Sequence, residues 1–306
     1  MHTNANEVIM RKRLFIFLAI CFGMIWIYDL TVLRNISMVE NSFLKQVLSV
    51  GGMYVPLIAH MCTRVITKER FELSGDESLL LKMSRKKMIW FFVAMLLPFI
   101  YCEIGRAILV LVYPKLLLSK TMCMTFGITT GSILGDIGRK LFMSLAFTLV
   151  AIGEESGFRG YMMPKLMKLF GTGKAVIVGG IVWGLWHLPL ICMGHNFGTS
   201  YPGFPYLGII LMTVECICAG SILTFLTIKS KSIWPAAVMH AVNNSNPGVL
   251  ALLLNTHELG KMNTIVVATI MLIPLFILGI ICLLIMVKEN TCFVLDNRED
   301  MQCKFS

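Results

Sequence analysis

Charge is what this sequence is short of. Only 14% of its 306 residues are Asp, Glu, Lys or Arg, while 57% are hydrophobic, against about 25% and about 45–50% in an ordinary soluble domain. A water-soluble fold has no interior large enough for that excess, so the soluble globular classes are excluded. The sequence also lacks a Ser/Gly-rich linker, an internal repeat and a cysteine pair at metal-site spacing. Its ten cysteines are scattered singly, and the close pair Cys216 and Cys218 is spaced wrongly for a CxxC site. Disulfide staples and zinc clusters are therefore not expected, and the cysteines read as small packing residues.

What the chain has instead is long uncharged apolar runs. Eight approach the ~20 residues that carry a helix across a hydrocarbon core: 14–33, 44–63, 88–112, 138–153, 174–193, 205–228, 233–254 and 263–287. The fourth is short and the seventh holds polar residues, so context supports both. Every backbone amide in lipid needs a partner within its own segment or a closed barrel, and runs this continuously apolar are not alternating barrel strands. The expected fold is all-α, a polytopic membrane protein of about eight transmembrane helices forming one membrane domain over 1–306. Arg11, Lys12 and Arg13 precede the first run, which is longer than a signal-peptide core and lacks a small-residue cleavage site. It reads as a retained helix.

The net charge of +10 is unevenly placed. Segments from Arg11 to Arg13, Lys68 to Lys87, Arg159 to Lys174, Lys229 to Lys231 and from Lys288 onward hold 18 Lys and Arg. The alternate segments hold seven: Arg34, Lys45, Lys115, Lys120, Arg139, Lys140 and Lys261. By the positive-inside bias both termini are expected in the cytoplasm. Basic residues beside a membrane face anionic lipid, so membrane lipid is the expected partner and nucleic acid is not. The tail Cys303-Lys304-Phe305-Ser306 imitates a prenylation signal, but Lys304 stands where an aliphatic residue is usual, and no lipidation is expected. Residues 69–85 and 157–170 mix charge with Leu, Met and Phe and read as helices lying on the inner leaflet, the second bent at Pro164.

Ionisable groups at membrane depth are costly, which makes them functional candidates. Glu154, Glu155 and Arg159 close the fourth run. Adjacent helix residues point about 100° apart, whereas i and i+4 share a face. Glu155 and Arg159 can therefore pair, leaving Glu154 to look into the bundle. His187 lies in the fifth run beside Trp183 and Trp186, and His240 and Asn244 share a helix face in the seventh. Each group alone has a structural explanation, as helix end, core histidine or interhelical glue. Together, on separate helices, they are satisfied by a common wet cavity, expected near the inner leaflet. Glu103 and Arg106 at i and i+3 are expected to pair, and His60, Asp29 and Glu215 receive no chemistry.

Glu154-Glu155-xxx-Arg159, then Trp183-xxx-His187, then His240-xxx-Asn244 resemble the three motifs of the CPBP intramembrane proteases. That family includes type II CAAX prenyl endopeptidases and bacterial Abi proteins tied to bacteriocin processing and immunity. The motifs lie within 154–244, and Trp183 stands where the pattern usually has Phe. The resemblance implies a glutamic endopeptidase, of a family once classed as metalloproteases. Glu154 would be the general base on a water also held by His187, with His240 and Asn244 donating to the oxyanion. Glu155, Arg159 and Trp183 would support the site or touch substrate. No cofactor is expected. A zinc site from Glu154, His187 and His240 is chemically conceivable, but the HExxH helix of zincins is absent.

Other intramembrane proteases fit less well. The GxGD motif of aspartyl enzymes is broken by Ile133 before Gly135-Asp136, and no GxSxG of a serine rhomboid occurs. The rival of a different class is a non-catalytic binding or immunity protein with the same fold. Prenylated, leader-type and membrane-embedded peptides all suit the motif set as substrates, and the size suits a bacterial cell membrane.

Overall fold

The computed structural model describes residues 5–69, 85–245 and 248–289. Within them the chain is a helical bundle: α1 (Ala5–Thr31), α2 (Ser42–Gly51), α3 (Val55–Ile66), α4 (Ile89–Val112), α5 (Lys120–Thr125), α6 (Thr130–Gly157), α7 (Met163–Phe170), α8 (Thr172–Trp186), α9 (Leu188–Cys192), α10 (Tyr206–Ser230), α11 (Trp234–Ser245), α12 (Leu250–Leu253), α13 (Thr256–Leu259) and α14 (Thr264–Lys288). Among the described residues there is no strand, only an isolated bridge between Leu117 and Leu254. The chain is an integral multi-pass membrane protein, as its composition requires.

Among the described residues, six helical stretches are long and apolar enough to cross a membrane: Ala5–Met38, Ser42–Ile66, Ile89–Val112, Thr130–Phe170, Tyr206–Ser230 and Thr264–Lys288. The two remaining expected spans are shorter, and each has a visible cause. The run 174–193 breaks because Pro189 has no N–H and its ring would strike the carbonyl of residue 185 in a continuing helix. Helix α8 therefore stops at Trp186 after 15 residues, and α9 restarts beyond His187. The run 233–254 ends its helix at Ser245, after the asparagines that compete with helix for their own backbone.

The fourth run differs in the opposite sense. A capping box of Thr129 and Ser132 starts α6 at Thr130, so Gly135-Asp136 lies in helix rather than loop, with Asp136 paired to Arg139 and Lys140. At the other end α6 passes through one π turn, Phe158–Met162, into α7. Residues 157–167 are buried throughout, so this stretch is not the surface helix expected at 157–170. It continues into the bundle, so that Glu154, in the last turn of α6, is followed by the π turn and α7 rather than by a loop. Of the other expected surface helix, 70–84 lie outside the described residues. Glu69 is buried and bound by Lys165 at 2.9 Å, Tyr161 at 2.8 Å and Arg13 at 3.6 Å.

Packing explains which helices meet. Helix α10 is 61% buried over its apolar window, against 22% for α1 and α14, so it runs through the centre with α8 and α14 against it. Exposed Phe15, Leu96, Phe142 and Leu284 belong to the outward surface that lipid would cover. Small residues bring the motif helices together. Ala151 of α6 packs on Ala237 and Ala241 of α11, and Ser144 of α6 donates to Ser245 of α11 at 2.8 Å. On another face of α6, Gly153 and Gly157 admit the backbone of residues 53, 54 and 56, leaving no room for a Cβ. The motif Gly153-Glu154-Glu155-Ser156-Gly157 is thus clamped on both sides.

Candidate active site

One cavity of about 1430 Å³ is lined by Glu154, Trp183, His187, His240 and Asn244, together with Trp186, Glu215, Cys216, Tyr101 and Asn243 among others. Four chain segments supply the motif residues: α6, α8, the break after α8, and α11. The spatial convergence expected from the motifs is therefore present.

The break in α8 builds the His187 environment. In an uninterrupted helix the carbonyl of Trp183 would accept from the backbone N–H four residues on. Here the His187 N–H turns to Gly184 at 3.1 Å, and the His187 ring takes the freed carbonyl, with Nδ1 at 2.9 Å from the Trp183 oxygen. A carbonyl only accepts, so Nδ1 carries the proton and Nε2 keeps a lone pair.

His240 is held by a charged group. Its Nδ1 lies 2.8 Å from Oε1 of Glu155, and the same oxygen is 3.2 Å from Nη1 of Arg159. Both partners are enclosed, with Glu155 at 0% and Arg159 at 2% exposure. The expected Glu155–Arg159 pair therefore forms, and it also fixes the ring of His240. Arg159 in addition sits 4.2 Å from the ring centre of Trp183, a cation–π contact in an enclosed setting.

Trp183 ties the groups together. Its indole N–H donates to Oε2 of Glu154 at 2.9 Å, and its ring centre lies 5.9 Å from that of His187 and 5.5 Å from that of His240. The Phe usual at this motif position has no donor. Reading Trp183 as a neutral aromatic exchange missed this bond, although an indole N–H in a buried position always raises the question of its acceptor.

Asn244 reaches the open side of the cavity, where it is exposed. Its neighbour Asn243 accepts from the Tyr101 hydroxyl at 2.5 Å, a contact that ties the end of α11 to α4. Glu215 had no assigned chemistry, yet it faces the cavity beside Cys216, whose Sγ is 4.0 Å from Nδ1 of His187. The signal was available, since a carboxylate in the middle of an apolar run needs a reason. His60 accepts from Arg64 Nε at 2.7 Å and stacks on Tyr161, while Glu103 and Arg106 pair at 2.8 Å, as their spacing suggested. Among the described residues no group of three or more His, Cys, Asp or Glu side chains is placed to hold a metal ion.

The match to known proteins falls on this same segment. Residues 137–246 match the family model of the type II CAAX prenyl endopeptidases, Rce1-like. CAAX prenyl protease 2 of Methanococcus maripaludis is 32% identical over 109 residues, covering 35% of this chain and 40% of the relative. The segment that builds the cavity is the one similar to the type II CAAX prenyl endopeptidases. The chain thus spans about two fifths of the length of the curated relative it matches, and the CPBP likeness is carried by the segment that contains Glu154, His187, His240 and Asn244.

Proposed function

We propose that the chain is an intramembrane endopeptidase that hydrolyses a peptide bond with a glutamate-activated water. The observation that carries this reading is the shared cavity, in which both histidines are tied back through Nδ1 while the cavity-facing groups remain uncommitted. The free oxygen of Glu154 and Nε2 of His187 would hold water between them. As the water oxygen bonds to the scissile carbonyl carbon, its proton passes to Glu154 and the carbonyl π electrons move to oxygen. His240 and Asn244 donate to that oxyanion, each such donor being typically worth about 10²–10³ in rate. Donation by His240 through Nε2 as well as Nδ1 requires an imidazolium, for which Glu155 supplies the adjacent negative charge. When the intermediate collapses, the C–N bond breaks and Glu154 returns the proton to the leaving amine.

The mechanism is proposed as metal-free. The bond from Trp183 to Glu154 occupies one carboxylate oxygen, and the three conceivable ligands, Glu154, His187 and His240, do not form a ligand group among the described residues. Activity that survives exhaustive chelation, in protein without stoichiometric zinc, is the expected result. Activity that is lost on chelation and restored by zinc would overturn it. The substrate class is a peptide, on a leader, a lipidated protein or a membrane-embedded segment, in a bacterial cell membrane with both termini of the chain in the cytoplasm. Comparison of the peptides released by cells carrying the native chain and its Glu154→Gln variant tests the function. Products that disappear in the variant at normal protein level are expected. An unchanged peptide profile with unchanged cellular phenotype favours the non-catalytic binding protein instead.

A further inference from the structure

The cavity has a mouth at one end of the bundle and a floor facing the other. From Glu154 and Trp183 its lining runs to Arg34 and Ser37 just beyond α1, to Asn196 after α9, to Leu259 of α13 and to Thr264 in the first turn of α14. All of these lie at the end where α1 finishes and α14 begins. No lining residue comes from α1 before Ile25 or from α14 after Leu272.

The other end is sealed. Below the cavity Phe158 packs edge-on against Trp186 at 6.0 Å and against Phe17 at 6.4 Å, and Phe17 meets Tyr161 at 5.4 Å. None of these four rings is more than 2% exposed. Beneath them Glu69 binds Arg13, Tyr161 and Lys165, closing the bundle with a buried ion network.

The basic residues lie on the sealed side. Among the described residues, the N-terminal half of α1, the stretch between α3 and α4, the stretch from the π turn through α7 into the start of α8, the end of α10 with Lys231, and Lys288 of α14 hold 14 Lys and Arg, against seven at the mouth end. Short loops with that bias stay in the cytoplasm. The expectation of a pocket near the inner leaflet took Glu154 to close the fourth span, whereas the helical stretch runs on to Phe170.

We infer that the cavity opens away from the cytoplasm and takes a polypeptide segment presented at the outer membrane face, such as part of an exported or membrane-inserted peptide. A lipidated tail of a cytoplasmic protein would meet the aromatic floor instead. The word substrate here rests on the proposed hydrolase, whereas the side of access rests only on the cavity and the charge distribution.

Thiol labelling of the full chain in intact cells separates the two. Ser37→Cys and Lys261→Cys mark the mouth end, and Lys288→Cys marks the sealed end; all three native residues are exposed. With a membrane-impermeant maleimide, the first two gain at least about fivefold label over the native chain without permeabilisation, and the third gains it only afterwards. Label on Lys288→Cys from outside, or on Ser37→Cys only after permeabilisation, overturns the inference. An impermeant quenched peptide, chosen because the solubilised chain cuts it and the Glu154→Gln variant does not, is then offered to sealed vesicles. Cleavage at least about tenfold faster in right-side-out than in inverted vesicles is expected, and the reverse ratio overturns it. Should the solubilised chain cut no peptide, the hydrolase reading falls while the labelling still decides the side of access.

Discussion

Replacing Glu155 by Gln tests the assignment of its carboxylate as the group that positions His240. In the native site one carboxylate oxygen serves both Nδ1 of His240 at 2.8 Å and Arg159 at 3.2 Å. An amide keeps an acceptor oxygen but carries no charge, so both contacts become weaker neutral-acceptor bonds. Two losses follow. Arg159, at 2% exposure, loses the carboxylate it is paired with and keeps the Trp183 face and the more distant charge of Glu154. Breaking a buried pair outright costs about 3–5 kcal/mol, and since the amide still accepts hydrogen bonds the expected loss here is about 1–3 kcal/mol, read as a lower unfolding temperature in detergent. The His240 ring also loses the charge that favours its donor form. Outer partners of a reacting histidine are typically worth about 10–100-fold, and full loss of an oxyanion donor about 10²–10³-fold. Turnover of a quenched peptide should therefore fall in kcat by about 30- to 300-fold with KM within about threefold. If Glu155 acts through His240, the Glu155→Gln/His240→Ala double variant is no slower than His240→Ala alone. Losses that multiply, or a folded Glu155→Gln protein with native kcat, refute the assignment.

Trp183→Phe removes the indole donor from Glu154 while keeping an aromatic ring for Arg159. A hydrogen bond to a charged group is worth about 1.5–3 kcal/mol, so the same peptide assay should show kcat lowered by about 10- to 100-fold, and native turnover would show that the bond does not matter. Gly157→Ala drives a methyl into the backbone and ring of Pro56. The expected cost is about 1–3 kcal/mol, seen as a lower melting temperature together with reduced turnover, because the displaced helix carries Glu154. Gly138→Ala on the same helix meets nothing within 4 Å and should instead stabilise by about 0.5–1 kcal/mol; equal effects of the two would sink the packing argument. For Glu69, burial raises the carboxyl, but the charge and hydrogen bond of Lys165, with Tyr161 and Arg13, outweigh it and hold the group below its ordinary value. Its contribution to stability is complete above the usual carboxylate range near about 4.3 and fades as pH falls through the lower folded value. Unfolding followed against pH should lose this component in Glu69→Gln, and an unchanged acid limb would refute it.

How much of this was legible in the sequence depended on the range of the interaction. Apolar run lengths identified the membrane bundle because hydrocarbon thickness is a one-dimensional constraint, and the spacing of Glu155 to Arg159 and Glu103 to Arg106 gave two real pairs because helix neighbours are local. The positions of Glu154, His187, His240 and Asn244 followed from a motif set whose members converge on one cavity. The misreadings arose where a local pattern was overruled by tertiary burial. The amphipathic look of 157–170 suggested a surface helix, yet Tyr161 and Lys165 point to Glu69, a partner about ninety residues away in the chain that no periodicity reveals.

The same reasoning explains why the site is built around discontinuities. A continuous helix gives each of its carbonyls a backbone partner. The sequence therefore places Pro189 two residues beyond His187, and the carbonyl freed at Trp183 becomes the group that orients the imidazole. At the end of α6 the π turn begins three residues after Glu155, and Arg159 within it pairs with Glu155 while lying across Trp183. One aromatic residue thereby connects a carboxylate, a guanidinium and two imidazoles drawn from separate helices. Because that arrangement needs two helix irregularities and a small-residue seam in register, changes at Pro189 or at Ala241 should disturb the site as surely as changes to the groups that face the cavity.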